Sequence, residues 1–167
     1  MIRPKVNIED MIEGIELSRD ECQAYLDLHT GRIEYIDEQT SWALSHDDDE
    51  SLPDWQRPLV EITRLIEADE EGERFWSLPN RFDVDEWQMM AEFAAAAKDD
   101  AVRDELSCAC RGSGAFRRFK DAVHRLGLAH EWHTWRNEGY RQVAIDWCEA
   151  NEIPWEPHTA AGADSTA

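Results

Sequence analysis

The residue types best suited to hold a ligand fall in one stretch, GSGAFRRFKDAVHRLG, from Gly112 to Gly127. Between Arg111 and Arg125 stand five bases, Arg111, Arg117, Arg118, Lys120 and Arg125, against one acid, Asp121. The whole chain carries 37 acids and 17 bases, a formal charge of -20, so this segment is a local +4 and the remainder stands at -24. Ser113 can occupy an N-cap position, its hydroxyl accepting from first-turn amides, while Gly112 and Gly114 permit a tight entry. Free amide donors at a helix start, with arginines close by, would form an anion site or a surface for an acidic partner. The residues that would carry it are Arg111, Ser113, Arg117, Arg118, Lys120 and Arg125. A structural reading competes: the basic helix docks on acidic neighbours, and Arg117 and Asp121, at i and i+4, can satisfy each other. The glycines are no nucleotide fingerprint, because the strand–GxGxxG–helix context and the P-loop lysine with its Ser or Thr are missing.

Other chemistry-bearing groups are incomplete. His130 and His133, with His124 nearby in sequence, could begin a zinc site, but zinc wants three or four such ligands and no second ligand pair stands out. Cys108-x-Cys110 lacks the spacing of a thioredoxin-type redox motif. Asp83, Asp85 and Glu86 could raise one another's pKa for acid–base work; a capping role explains Asp85 without it. Ser113 lies outside any G-x-S-x-G elbow, which removes a nucleophile reading. No metal, no cofactor and no complete catalytic set is expected.

The elements that must position these groups follow from periodicity. Asn7 caps a helix whose apolar face is Ile8, Met11, Ile12 and Ile15, with Asp10 in the capping-box position. A hairpin is expected over Tyr25–Ile36, turning through a three-residue loop, His29-Thr30-Gly31, with Gly31 left-handed. Asp37 to Pro53 reads as a solvated acidic loop around the block Asp47 to Glu50. A helix from Pro53-Asp54 carries Leu59, Ile62, Leu65 and Ile66, and the acidic run Asp69–Glu73 closes it. Arg74 to Leu78 forms a short third strand. Asp85 caps a helix with Gln88 at the capping-box position and Trp87, Met90, Ala91 and Ala94 following. A short helix covers Ala101 to Cys108. The basic helix ends at Leu126 before Gly127, with Phe116, Phe119, Ala122, Val123 and Leu126 on its apolar arc. A last helix spans His130 to Ala150, with Trp132, Trp135, Trp147, Tyr140, Val143 and Ala144 on or near its apolar stripe. Trp42 and Trp55 flank the acidic loop and are expected to be partly exposed, where they could anchor a basic partner.

These elements give a single, mostly helical α+β domain over residues 1–156, with a helix and small hairpin docked on a helical body, and a disordered tail at 157–167. No run reaches the roughly 18 apolar residues of a membrane span, and MIRPKVNIED has no apolar signal core. Four cysteines without a secreted framework read as reduced thiols in a cytoplasm.

The pieces GSGAFRRFKDAVHRLGL, FDVDEWQMMAEF and AIDWCEANEI, with AYLDLHTGRIEYI and LPDWQ, resemble the uncharacterised bacterial family UPF0158 over most of residues 8–153. The resemblance implies a bacterial, intracellular protein. It assigns no activity and therefore no catalytic residue; the GSGAFRRFKD type of motif is the family's signature and points again to Arg111 through Lys120.

Two function classes remain. One is a non-enzymatic cytoplasmic interaction or regulatory protein acting through segregated acidic and basic surfaces on another protein; a variant of it mimics DNA toward a nucleic-acid-binding partner. The other is a small-anion or phosphate binder, or an enzyme, built on the Gly112–Gly114 turn. Direct binding of nucleic acid is not expected, because a local +4 in a field of -24 neutralises few phosphates.

Overall fold

A computed structural model describes residues 2–18, 21–81 and 83–157. Within them, seven α-helices and a small amount of strand make an α+β architecture dominated by helix. The expected disordered tail lies outside the described residues from position 158 onward. Among the described residues no helix is long and apolar enough to cross a membrane. The chain divides into two units, residues 1–83 with 143–167, and residues 84–142.

The first unit starts with β1 (Val6–Asn7) running into α1 (Ile8–Leu17). Asn7 Oδ1 accepts from the amides of Glu9 (2.8 Å) and Asp10 (3.4 Å), fixing the helix start. Ile8, Met11, Ile12 and Ile15 are buried, the face that the periodicity predicts. Strands β2 (Cys22–Asp27), β3 (Ile33–Asp37) and β4 (Phe75–Ser77) form an antiparallel sheet in the order β3-β2-β4. Register pairs Ala24 with Tyr35 and Leu26 with Trp76. Helix α1 lies close on this sheet at Gly14, where a Cβ would come within 3.0 Å of Ile33 Cγ2 and 2.9 Å of Leu78 Cδ1. Ser18 ties the helix end to the sheet, donating to Gly14 O (2.9 Å) and accepting from Ala24 N (3.0 Å). Strand β5 (Trp155–Glu156) pairs parallel with β1.

The hairpin connection is longer than the three residues expected, covering residues 28–32, because Asp27 organises it. Asp27 O accepts from Thr30 N and Gly31 N, and Asp27 Oδ1 accepts from His29 N at 2.9 Å. Gly31 has φ +74, and a Cβ there would meet the Lys5 carbonyl oxygen at 2.8 Å. Arg74 donates to both oxygens of the same carboxylate, at 3.0 and 2.8 Å. The Asp27 side chain is only 2% exposed and that of Arg74 31%. Burial alone would raise the Asp27 pKa; the hydrogen bonds from Arg74 and from the His29 amide outweigh it and hold the carboxyl below its ordinary value.

The segment expected as a solvated loop, Asp37 to Pro53, instead contains α2 (Glu38–Ser45) and a 3-10 turn at Asp49–Ser51. Asp37 Oδ1 caps α2 by accepting from Thr40 N at 2.6 Å. Ala43 and Leu52 are buried with Val60, and Leu44 packs on them, so apolar contact holds what the charge pattern alone assigns to solvent. A 3-10 turn (Asp54–Gln56) follows Pro53 and leads into α3 (Arg57–Ala68). Its buried stripe is Val60, Thr63 and Ile66; Leu65, one of the four apolar residues read on this helix, is exposed because it lies well to one side of the stripe at 100° per residue.

The second unit holds α4 (Glu86–Ala96), α5 (Asp100–Ala109), α6 (Ala115–Arg125) and the first part of α7 (Ala129–Ala150), whose residues 143–150 belong to the first unit. Asp85 caps α4 through Gln88 N (2.9 Å), and Asp99 caps α5 through Val102 N (3.1 Å). Phe119 is fully buried and meets Trp132 edge-on at 4.8 Å; Phe93 completes the cluster against Phe119, Trp132 and Trp135. Two members of the expected α6 arc fall short of full burial. Phe116, in the first turn, is 48% exposed, and Leu126 sits at the C-cap and is partly buried. Gly127 (φ +70) ends the helix as expected. Along α7, Trp132, Tyr140, Ala144 and Cys148 are buried, whereas Trp135 keeps an exposed edge.

Two measurements follow. Phe119→Ala should lower the urea unfolding free energy by about 3–5 kcal/mol, and Leu126→Ala by less than the roughly 2 kcal/mol floor for a buried leucine. Asp27→Asn should destabilise by less than the about 3–5 kcal/mol of breaking a fully buried ion pair, because the Arg74 guanidinium can rehydrate. Since the folded pKa of Asp27 lies below its unfolded value of about 3.8, its contribution is full above that value and is lost as pH falls through the depressed one. The gap in urea midpoint between wild type and Asp27→Asn should therefore be wide at neutral pH and narrow in acid below 3.8.

Candidate functional site

The basic turn is built from two left-handed glycines, Gly112 (φ +70) and Gly114 (φ +76), between α5 and α6. Gly114, not Ser113, is the N-cap of α6, and no side chain caps that end. The expected Ser113 cap is therefore not formed: with Gly114 in the left-handed region, the residue one position later than expected starts the helix. What Ser113 contributes is its carbonyl. Arg118 folds back over the turn, Nη1 donating to Ser113 O and Nη2 to Arg111 O. These carbonyls follow the C-terminal end of α5, where the helix dipole favours a cation. The guanidinium thus closes the turn rather than standing open for an anion.

Arg125 is also used internally, paired with Glu105 on α5. Arg111, Arg117 and Lys120 are exposed. No ion pair joins Arg117 to Asp121 among the described residues; α6 turns its paired cation, Arg125, toward α5 instead. A cavity of about 610 Å³ adjoins the turn, lined by Trp87, Ala91, Ala94, Ser107, Cys110 and Arg111 among others. Trp87 Nε1 donates to Cys110 O at 2.8 Å. Of the six residues expected to hold an anion, only Arg111 lines this mostly apolar space. That cavity does not gather the set.

The other candidate groups resolve into separate tasks. Asp83 Oδ2 accepts from Asn80 N (2.9 Å) while Asn80 Oδ1 accepts from Asp83 N (3.1 Å), a closed turn. Asp85 is the α4 cap already described. Glu86 is buried, and its Oε1 accepts from the Tyr140 hydroxyl and from Arg136 Nη2 (3.0 Å). Arg136 lies over the Tyr140 ring at 4.4 Å. Sequence reasoning missed this buried network, since its members are 50 and 54 positions apart; the one local signal is Arg136 and Tyr140 at i and i+4 on α7. Among the described residues no three His, Cys, Asp or Glu side chains gather to hold a metal. Cys108 is exposed and Cys110 buried. Burial pushes the Cys110 thiol up, and burial followed by Glu149 pushes Cys148 to about 11.

A second site lies in the first unit. Trp42 on α2 is 54% exposed and Trp55, in the 3-10 turn before α3, is 71% exposed. They line one cavity of about 530 Å³ with Glu21, Asp37, Glu38 and Gln56. The exposure of both tryptophans was legible from their polar surroundings. Of the acids beside them, Asp37 and Glu38 belong to the stretch Asp37 to Pro53 read as acidic, whereas Glu21 lies outside it. Trp42 is stacked on His46 with ring centroids 4.3 Å apart and planes 20° from parallel. Gln56 is 3% exposed, and its Oε1 has no hydrogen-bond partner; Thr40 Oγ1 on α2 and Thr63 Oγ1 on α3 are the other such buried atoms among the described residues.

The family model described as an uncharacterised protein family, UPF0158, matches residues 3–159. No curated protein and no solved structure matches the chain.

Arg118→Gln should lower stability by about 1 kcal/mol through loss of a charged donor to two carbonyls. Arg125→Gln should cost up to about 1 kcal/mol, with the loss fading at high salt because the pair is exposed. Thermal midpoints at low and high salt, with and without millimolar phosphate, check both. Phosphate stabilisation of the wild type that vanishes in Arg118→Gln would overturn the structural assignment.

Proposed function

We propose that this chain, which belongs to the UPF0158 family, works without catalysis, as a cytoplasmic interaction protein that takes a basic partner protein on its acidic surface. The observation that carries this reading is the cavity of the first unit, where two exposed indoles stand among three carboxylates. Aromatic side chains that keep large exposed faces are the residues most often found to dominate binding energy at protein interfaces. Carboxylates around them select a cationic surface, and a remainder at -24 raises the encounter rate with one. Asp83, Asp85 and Glu86 each have a structural partner, which supports the reading without catalysis.

A small-anion or phosphate site at the Gly112–Gly114 turn is the weaker reading. Arg118 and Arg125, two of its five bases, already have partners inside the second unit.

The test is a fluorescence or calorimetric titration with a short peptide of mixed lysine and arginine against an acidic control peptide. Binding of the basic peptide alone, weakening as salt shortens the Debye length, is expected. Trp55→Ala should weaken it about tenfold, equivalent to roughly 1.4 kcal/mol, while Trp87→Ala, an exposed tryptophan of the other unit, should not. Equal loss in both variants, or no binding at low salt, would remove the proposal.

A further inference from the structure

We propose that the second unit carries a docking face for a second copy of this chain. The start of α6 from one copy seats in the groove between α4 and α7 of the other, and the reverse. The proposal goes beyond the interaction reading above and does not depend on it. The groove is a cavity of about 590 Å³, lined by Met89 and Glu92 of α4 and by Glu131, Trp135, Glu138 and Gly139 of α7 among others. Glycine inside a helix is unfavourable, yet Gly139 stands in the middle of α7, where a Cβ would come within 2.6 Å of Met89 Cε. The missing side chain is what lets Met89 lie against α7. Phe93 meets the Trp135 ring edge-on at 5.8 Å and sets its orientation, and Trp135 is still 38% exposed. The groove thus offers an apolar centre with a pre-positioned indole.

Charge decides what covers this face. Glu92, Glu131 and Glu138 line the groove, and no Lys or Arg among the described residues does. Glu131 makes no ion pair among the described residues. Glu92 and Glu138 meet near neighbours on their own helices, Gln88 and Arg141. The complementary occupant is an apolar side chain with bases beside it. Helix α6 presents that combination. Phe116 is 48% exposed, Lys120 lies one turn on, on the same side, and Arg117 follows Phe116 directly. Arg117 and Lys120 are exposed and make no ion pair among the described residues. They are uncommitted, whereas Arg118 and Arg125 are engaged within their own unit. The remainder of the chain stands at -24, so the basic stretch is its complementary surface. The two faces adjoin one aromatic cluster, in which Phe119, one turn after Phe116, meets Trp132, one turn before Trp135. A surface and its receptor on the same unit let two copies satisfy each other twice about a two-fold axis, which closes the assembly at a dimer.

Sedimentation of the full chain from about 1 µM to 1 mM, the range of a weak pair, should show monomer passing to dimer. Arg117→Glu with Lys120→Glu, and separately Glu92→Lys with Glu131→Lys, should each raise the dissociation constant at least about tenfold. All four positions are exposed, so the circular dichroism of both variants should match the wild type. Mixing the two variants, one of them fluorescently labelled, should restore a dimer near the wild-type affinity, because both contacts then pair opposite charges again. Lys5→Glu with Arg32→Glu makes an equal charge change at exposed positions of the first unit and should leave the constant near the wild-type value. Phe116→Ala should weaken the dimer about tenfold without loss of fold. A chain that stays monomeric throughout overturns the proposal, as does a dimer indifferent to the charge reversals and to Phe116→Ala. A mixture that fails to re-form the dimer, or equal weakening by Lys5→Glu with Arg32→Glu, overturns it too. Assembly that keeps growing past the dimer overturns the reciprocal pairing, since such a contact does not close on itself.

Discussion

A chain with 37 acids and 17 bases cannot give every carboxylate a cation, and six of the described aspartates, Asp27, Asp37, Asp69, Asp83, Asp85 and Asp99, accept backbone amides. Asp37, Asp85 and Asp99 each take an amide at a helix start, where the dipole also favours a negative charge. Asp69 goes further, accepting from the amides of Glu73, Arg74 and Phe75. These bonds, the one from Phe75 foremost, hold its carboxyl below the ordinary range. A carboxylate placed this way ends α3 and launches β4 within six residues. The helices and the small sheet therefore depend on acids used as backbone acceptors.

With so few cations, two half-buried arginines are committed to buried carboxylates. Arg74 answers Asp27 beneath the hairpin turn, and Arg136 answers Glu86 beside Tyr140. Both are bonds that a buried carboxylate cannot do without. Two of the five bases in the basic stretch are engaged within the second unit: Arg118 on the turn carbonyls of Arg111 and Ser113, and Arg125 on Glu105 of α5. Arg111, Arg117 and Lys120 are exposed.

The opposite holds for the acidic groove. Among the described residues three carboxylates and no base line it, its indoles stand out of the core, and Gln56 Oε1 is buried without a donor. Folded proteins keep few such atoms. Here all three that the described residues contain, on Thr40, Gln56 and Thr63, fall in α2, the turn before α3, and α3 itself. That layer is where the structure leaves hydrogen-bonding capacity unused, and it coincides with its most exposed tryptophans.

The sequence by itself determined the pieces whose causes are local. Asn7 and Asp85 announce helix starts through side-chain caps, Gly127 announces a helix end through its left-handed backbone, and the face Ile8, Met11, Ile12 and Ile15 repeats at helical spacing. Each of these signals lies within about two helical turns, so neighbouring residues suffice to read it. Only the tertiary structure decided the rest. Helix α2 forms because Ala43 packs with Leu52 and Val60, and a charge pattern carries no record of that contact. Whether Arg118 and Arg125 face a ligand or their own fold depends on where the turn carbonyls of Arg111 and Ser113 and the Glu105 side chain of α5 come to lie. The groove joins Glu21 to Gln56 across 35 positions of chain, and Glu86 finds Tyr140 across 54. Such pairings are set by packing geometry between elements, which periodicity along one element does not encode.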